Sequence, residues 1–166
     1  MIESLTGSAD TVAALAELLV EVTAHGASVG FMHPLDPAKA AAYWRDCLAD
    51  AAAGRRIVLG LREAERIVGT VSVVLAMPEN QPHRAEVQKL QVAVSHRRRG
   101  IARRLMVEAE SRAARAGKTL LVLNTASDGA ARLYEDIGWN RVGEIPDFAL
   151  FPNGEPCATT LYWKRV

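Results

Sequence analysis

The chain has 166 residues, 49% of them hydrophobic and 23% charged, with a formal net charge of +1 at pH 7. That length suits one domain over residues 1–166 with a sizeable core, and no repeat or low-complexity tract interrupts it. A near-neutral total argues against a protein that coats nucleic acid, which would be basic more broadly. The positive charge is local. Residues 97–118 carry eight Lys/Arg against two Glu, a net of +6 that leaves −5 for the rest. A single positive patch on a mildly acidic body fits a compact polyanionic ligand.

Cys47 and Cys157 lie far apart, with no CxxC and no nearby histidine pairing. They read as two reduced thiols of a cytoplasmic protein, and no metal site is expected. The start of the chain lacks a basic region followed by an apolar core, so no signal peptide is expected. The apolar stretch Val12 to Val22 is broken by Glu17 and Glu21, and no segment suits a bilayer span.

Ile2 to Leu5 reads as a short first strand. From Ser8 or Asp10 to Ala24 the spacing of Val12, Leu15, Leu18, Leu19 and Val22 predicts a helix, with Gly26 as its stop. Residues 25–34 follow without periodicity and with few charges. Their glycines, Ser28 and the apolar Phe31 and Met32 read either as a loop that wraps a substrate or as a packed connector. Asp36-Pro37 then opens a second helix to about Ala53, with Tyr43, Trp44, Cys47 and Leu48 as its buried stripe.

Ile57 to Leu61 and Ile67 to Leu75 form a predicted hairpin around a turn at Arg62 to Arg66, and Met77 to His83 is a loop. Ala85 to Val94 is the central strand. Leu90, Val92 and Val94 share one face there while Val87 has the opposite parity, which predicts a bulge near Gln88-Lys89. Such a bulge would splay this strand from a neighbour and open a slot. The next helix packs through Ile101, Leu105, Met106, Ala109 and Ala113 and stops at Gly117. Thr119 to Leu123 is a buried strand ended by Asn124-Thr125. Ser127 or Asp128 caps a short helix carrying Ala130, Leu133, Tyr134 and Ile137, which stops at Gly138. Trp139 to Glu144 is a strand, Pro146 to Pro156 a turn-rich excursion, and Thr159 to Lys164 the last strand. Helices and strands alternate in the middle and the flanks look antiparallel, so the fold class is α/β of mixed type, a mixed sheet covered by helices.

Between the central strand and its helix stand Ser95-His96-Arg97-Arg98-Arg99-Gly100-Ile101-Ala102-Arg103. The first turn of a helix leaves backbone N–H groups unpartnered at the positive end of its dipole, where an anion gains from both. Gly100 and Ala102 keep the approach slim, and the arginines offer fork-shaped donors to phosphate oxygens. The plainer reading is a basic, solvated helix start.

Arg97-x-x-Gly100-x-Ala102 after an alternating strand resembles the acetyl-CoA signature of the GNAT superfamily of N-acetyltransferases. The segment Ala131-Arg132-Leu133-Tyr134-Glu135-Asp136-Ile137-Gly138-Trp139 is similar to that superfamily's A-x-x-x-Y-x-x-x-G-aromatic segment, and the element order from Ile57 to Tyr162 matches. Residues 27–32, 83–90 and 141–144 further resemble the tabtoxin-resistance acetyltransferase branch, which acetylates an amino-acid-like toxin on its amine. The resemblance implies a mostly antiparallel sheet of six or seven strands, about four helices and splayed central strands. It implies acetyl-CoA as co-substrate and direct transfer to the amine of a small molecule.

By the same resemblance, Tyr134 would be the general acid toward the departing thiolate, although a buried tyrosine in an amphipathic helix is also an ordinary core residue. Val92, Ala93 and Val94 would line the pantetheine arm with backbone groups. Arg97, Arg98, Arg99, Gly100, Ile101, Ala102 and Arg103 would form the pyrophosphate turn. Asn124 would bond the pantetheine or the acceptor, and here the branch carries Asp. Glu86 is the candidate base by position, or else the partner of a salt bridge with Arg84; His25 and His33 are alternatives. Ser28, Phe31 and Met32 are the candidate acceptor contacts. Two other readings stand beside the enzyme: an acetyl-CoA-binding domain without chemistry, and a nucleic-acid module using the Arg-rich helix. A homodimer through an exposed strand edge is an open expectation. The acceptor's identity follows from no motif.

Overall fold

A computed structural model describes residues 1–64 and 66–166. The chain runs β1 (Ile2–Ser4), α1 (Ala9–Ala24), α2 (Pro37–Ala52), β2 (Arg56–Glu63), β3 (Arg66–Val74), β4 (Arg84–Val92), a 3-10 turn (Val94–His96), α3 (Ile101–Arg115), β5 (Leu120–Thr125), α4 (Asp128–Asp136), β6 (Asn140–Leu150) and β7 (Pro156–Arg165). The strands form one seven-stranded sheet in the order β1-β2-β3-β4-β5-β7-β6. β4 and β5 are parallel and the other described neighbours antiparallel. This is the mixed architecture the sequence pattern predicts. Among the described residues, no helix is long and apolar enough to cross a membrane.

The helices form where their caps and apolar stripes say they should. The Ser8 hydroxyl accepts the Thr11 N–H, and Asp36 accepts the Ala38 N–H at 2.8 Å with Pro37 in the first turn. α3 buries Ile101, Leu105, Met106, Ala109 and Ala113 against β2, β3 and β4. α1 and α2 cover the opposite face, with Trp44 fully buried. Tyr43, expected in the buried stripe, is only half-buried and faces the site described below.

The predicted bulge is present. Thr70 pairs with Gln91 while Ser72 pairs with Gln88, so β4 holds one residue more than β3 across that step. Lys89 sits there with φ +54°. Gly69 and Val73 share a face of β3, and so do their partners Val92 and Val87 despite their opposite parity in sequence. The bulge thus returns the apolar side of β4 to α3.

Four boundaries differ from expectation. β4 ends at Val92, and Val94 belongs to the 3-10 turn. Asn124 and Thr125 continue β5, because Leu161 and Thr160 of β7 pair with them. Arg62 and Glu63 remain strand, whereas Glu65 of the expected turn lies outside the described residues. Most of the expected excursion at residues 146–156 is strand: β6 runs to Leu150 and β7 starts at Pro156, with an irregularity between Ile145 and Ala149. Pro146 falls in that irregularity on an edge strand, where a missing N–H breaks no ladder.

Gly69 is where β3 meets α3 most closely. A Cβ there would lie 2.8 Å from Ile101 Cγ2 and 3.0 Å from Leu105 Cδ1. Gly69→Val therefore lowers the unfolding free energy by about 1–3 kcal/mol in urea titration. Gly143→Ala, with nothing within 4 Å of the added carbon, stays within about 0.5 kcal/mol of the parent.

Candidate active site

β4 and β5 pair only at Arg84–Leu120, Ala85–Leu121 and Glu86–Val122. Beyond that point β4 bends at its bulge and the two strands diverge, leaving a cleft of about 650 Å³. Its walls come from β4, the carboxyl ends of β5 and α4's first turns, residues 25–30 after α1, and the end of β6. The Ala93 N–H donates to the Val68 carbonyl at 2.9 Å. Strand amides alternate sides, so the N–H and C=O of Val92 point away from β3 and into the slot. The amides of the other two expected contacts have partners within the chain. Ala93 is fully buried with its N–H engaged, and the Val94 N–H donates to Glu21 Oε1 at 2.8 Å.

Glu21 is a residue that sequence reading missed. It is held by Arg66 and fixes the start of the basic turn from a helix 73 positions earlier. No local pattern could have disclosed that contact.

The basic turn has the geometry of an anion nest. Arg98 (φ +62°) and Gly100 (φ +76°) are both left-handed, which turns successive amides toward one side. Ser8, Asp36 and Ser127 cap α1, α2 and α4 through their side chains, whereas α3 has no side-chain cap. A Cβ added at Gly100 would meet nothing within 4 Å beyond its chain neighbours and its own helix. Arg97, Arg98, Arg99 and Arg103 are exposed, Ala102 is half-buried, and Ile101 is anchored in the core and offers only its backbone. Glu63 reaches this turn, 3.6 Å from Arg99 Nη1 and 3.2 Å from His96 Nε2. His96 and Arg99 thus both face the Glu63 carboxylate.

On the opposite wall Tyr134 is 5% exposed, tilted between Trp139 and Tyr162 at centroid distances of 6.0 and 5.7 Å. Among the described residues no hydrogen bond engages its hydroxyl. Burial, with a smaller effect of Tyr162, pushes its pKa well above the ordinary tyrosine value, so it is a proton donor at neutral pH. Asn124 lines the cleft and its Oδ1 accepts from Thr159 Oγ1 at 3.2 Å. Glu86 also lines it, accepting from Gln88 Nε2 at 3.1 Å, with Arg84 Nη1 at 3.9 Å. Both readings of Glu86, cleft carboxylate and ion-pair partner, coexist in this geometry.

The loop residues divide. Ser28 lines the cleft with its Oγ 3.7 Å from Cys157 Sγ, and His25 lines it while its Nδ1 is engaged by the Glu21 carbonyl. Phe31 packs edge-on against Tyr43 at 5.3 Å. Met32, 48% exposed, lies with His33 in a separate, smaller groove. Lys89, unremarked in the sequence except as part of a bulge, enters the cleft wall.

The sequence profile of the acetyltransferase (GNAT) family matches residues 17–139, more than half of the chain. Among solved structures, the fold is similar to an N-acetyltransferase from Staphylococcus aureus (TM-score 0.83, 14% identity, 99% of this chain and 97% of that one). It is similar to a ribosomal-protein-alanine N-acetyltransferase from Brucella melitensis (TM-score 0.81, 20% identity, 100% and 99%). A phosphinothricin acetyltransferase of Sinorhizobium meliloti, solved in complex with acetyl-CoA, has a TM-score of 0.81 at 15% identity over 100% of this chain and 88% of that one. With the profile spanning the slot, the basic turn and the helix of Tyr134, the chain belongs to the GNAT acetyltransferase family.

Proposed function

We propose that the protein transfers an acetyl group from acetyl-CoA directly, in a ternary complex, to the amine of a small acceptor of amino-acid-like or toxin-like kind. The observation that carries this reading is an uncapped, left-handed entry to α3 opening onto the unpaired stretch of β4. Acetyl-CoA supplies the activated acetyl thioester. The first amides of α3, with Arg97, Arg98, Arg99 and Arg103, hold a diphosphate there. Val92 offers one N–H and one C=O along the slot, the pairing an extended amide chain needs. Asn124 stands at the slot's other edge. Glu86 removes a proton from the acceptor ammonium, freeing the nitrogen lone pair to attack the thioester carbon. A backbone N–H of β4 stabilises the negative charge that develops on the carbonyl oxygen. As the C–S bond breaks, Tyr134 delivers its proton to the sulfur, and the second proton that the nitrogen sheds passes through water to the phenolate.

β6 is an eleven-residue edge strand, with Val142, Phe148 and Leu150 at 65%, 53% and 50% exposure. That edge supports a homodimer formed by pairing of two copies. Sedimentation then finds a dimer for the parent and a monomer for Val142→Lys.

Tyr134→Phe lowers kcat by about 100-fold and leaves the KM for acetyl-CoA within about twofold in a thiol-release assay. Unchanged turnover removes Tyr134 as the acid. Loss of the phenolic proton would abolish the donor, and burial raises the pKa at which that happens. The kcat profile of the parent accordingly shows no alkaline loss attributable to Tyr134 up to about pH 10, where an unperturbed tyrosine is half ionised.

A further inference from the structure

Lys89 is the unusual cation of the cleft. It occupies the extra position of the β4 bulge with φ +54°, a conformation that disfavours any side chain. Its ammonium lies 5.3 Å from the centroid of the Tyr43 ring and 3.5 Å from where a Cβ on Gly30 would sit. It is thereby held between α2 and the loop after α1. Among the described residues, no carboxylate stands within ion-pair distance of Lys89 and no acceptor hydrogen-bonds it. Lys164 meets Glu110 and Lys118 donates to two carbonyls, while Lys39, also without an ion pair among the described residues, is exposed to water.

A second cation lies behind it. Arg56 donates to Ser72 Oγ and Gln88 Oε1, both neutral, and its buried Nε has no partner. Burial most of all lowers the pKa of Lys89 and the Arg56 charge adds to it, while Cys47 and, less, Glu86 oppose the shift. Two half-buried cations with no carboxylate in ion-pair contact among the described residues are an unfavourable arrangement. An anion docking beside them removes the imbalance.

We infer that Lys89, backed by Arg56, receives an anionic group of the acceptor, which is therefore an amine that also carries a carboxylate. The inference rests on the acetyl-transfer reading for which nitrogen is acetylated, and not for the anion pocket itself. Glu86, which would face the amine, lies three residues earlier on the same strand, roughly 7–10 Å away along the backbone. An amine and a carboxylate several bonds apart can span that interval. Plain polyamines and polycationic aminoglycosides would place a second positive charge against Lys89 and are disfavoured.

The test compares amino carboxylates (β-alanine, 4-aminobutanoate, L-lysine) with the matching amides as acceptors, in the parent and in Lys89→Met and Lys89→Arg. The expected result is a kcat/KM at least about 30-fold higher for the carboxylates, carried mainly by acceptor KM. Lys89→Met abolishes the preference, Lys89→Arg restores part of it, and acetyl-CoA affinity verifies that each variant is folded. Equal rates for acids and amides, or a Lys89→Met defect of the same size for both series, overturns the inference and leaves Lys89 as packing for Tyr43. Where neither series is acetylated, calorimetric titration of the carboxylates into the coenzyme A complex decides in the same way. Binding that Lys89→Met removes supports the pocket, and equal affinity for acid and amide refutes it. Failure of the acetyl-transfer reading has a different signature, a parent protein that does not bind acetyl-CoA, and the carboxylate titration can then be run without it.

Discussion

The structure depends on two parallel strands that meet for three residues and then part. Backbone amides in a sheet interior are expensive to leave unpaired, so most folds close such a gap. Here the extra residue at Lys89 bends β4 away from its neighbour while keeping Val87 and Val92 on the α3 side. The core continues beneath the opening, and the opening itself offers hydrogen-bonding groups with no protein partner. The opening is set by strand register.

The two ends of the opening are charged by different means. At the α3 end the arginines are exposed, so water screens them and their accumulation costs little. Their use is field and reach. At the α2 end Lys89 and Arg56 are few but half-buried, and a charge there acts at much lower effective dielectric. In the proposed function the first end draws a polyanion, and in the proposed acceptor pocket the second discriminates. Tyr134, kept protonated by burial, and Glu86, on a half-exposed strand position, stand on opposite walls between them, where the proposed reaction uses them as acid and base.

Much of this was legible in the sequence where local pattern decides. The α3 stripe, the Ser8, Asp36 and Ser127 caps and the phase change in β4 each follow from periodicity or cap chemistry over a few residues. Strand ends were less legible because partners decide them. Asn124 and Thr125 are strand since β7 pairs with them, and β6 crosses a proline because it is an edge. The site showed the same division. Gly100 and Tyr134 stand in motifs, whereas Glu21 and Lys89 act through contacts with residues distant in sequence. An isolated acid in a helix and a lysine in a strand ordinarily signify only solvation.

The missing cap of α3 has one more consequence. The other three helices carry their own terminating oxygen, written into the chain as Ser8, Asp36 and Ser127. α3 must borrow its oxygen from solution, from water or from a bound anion. Its first turn is then as firm as the local supply of that anion allows. An anion bound at this end would complete the first turn of α3 as a cap does, so filling the site and firming the helix would be one event.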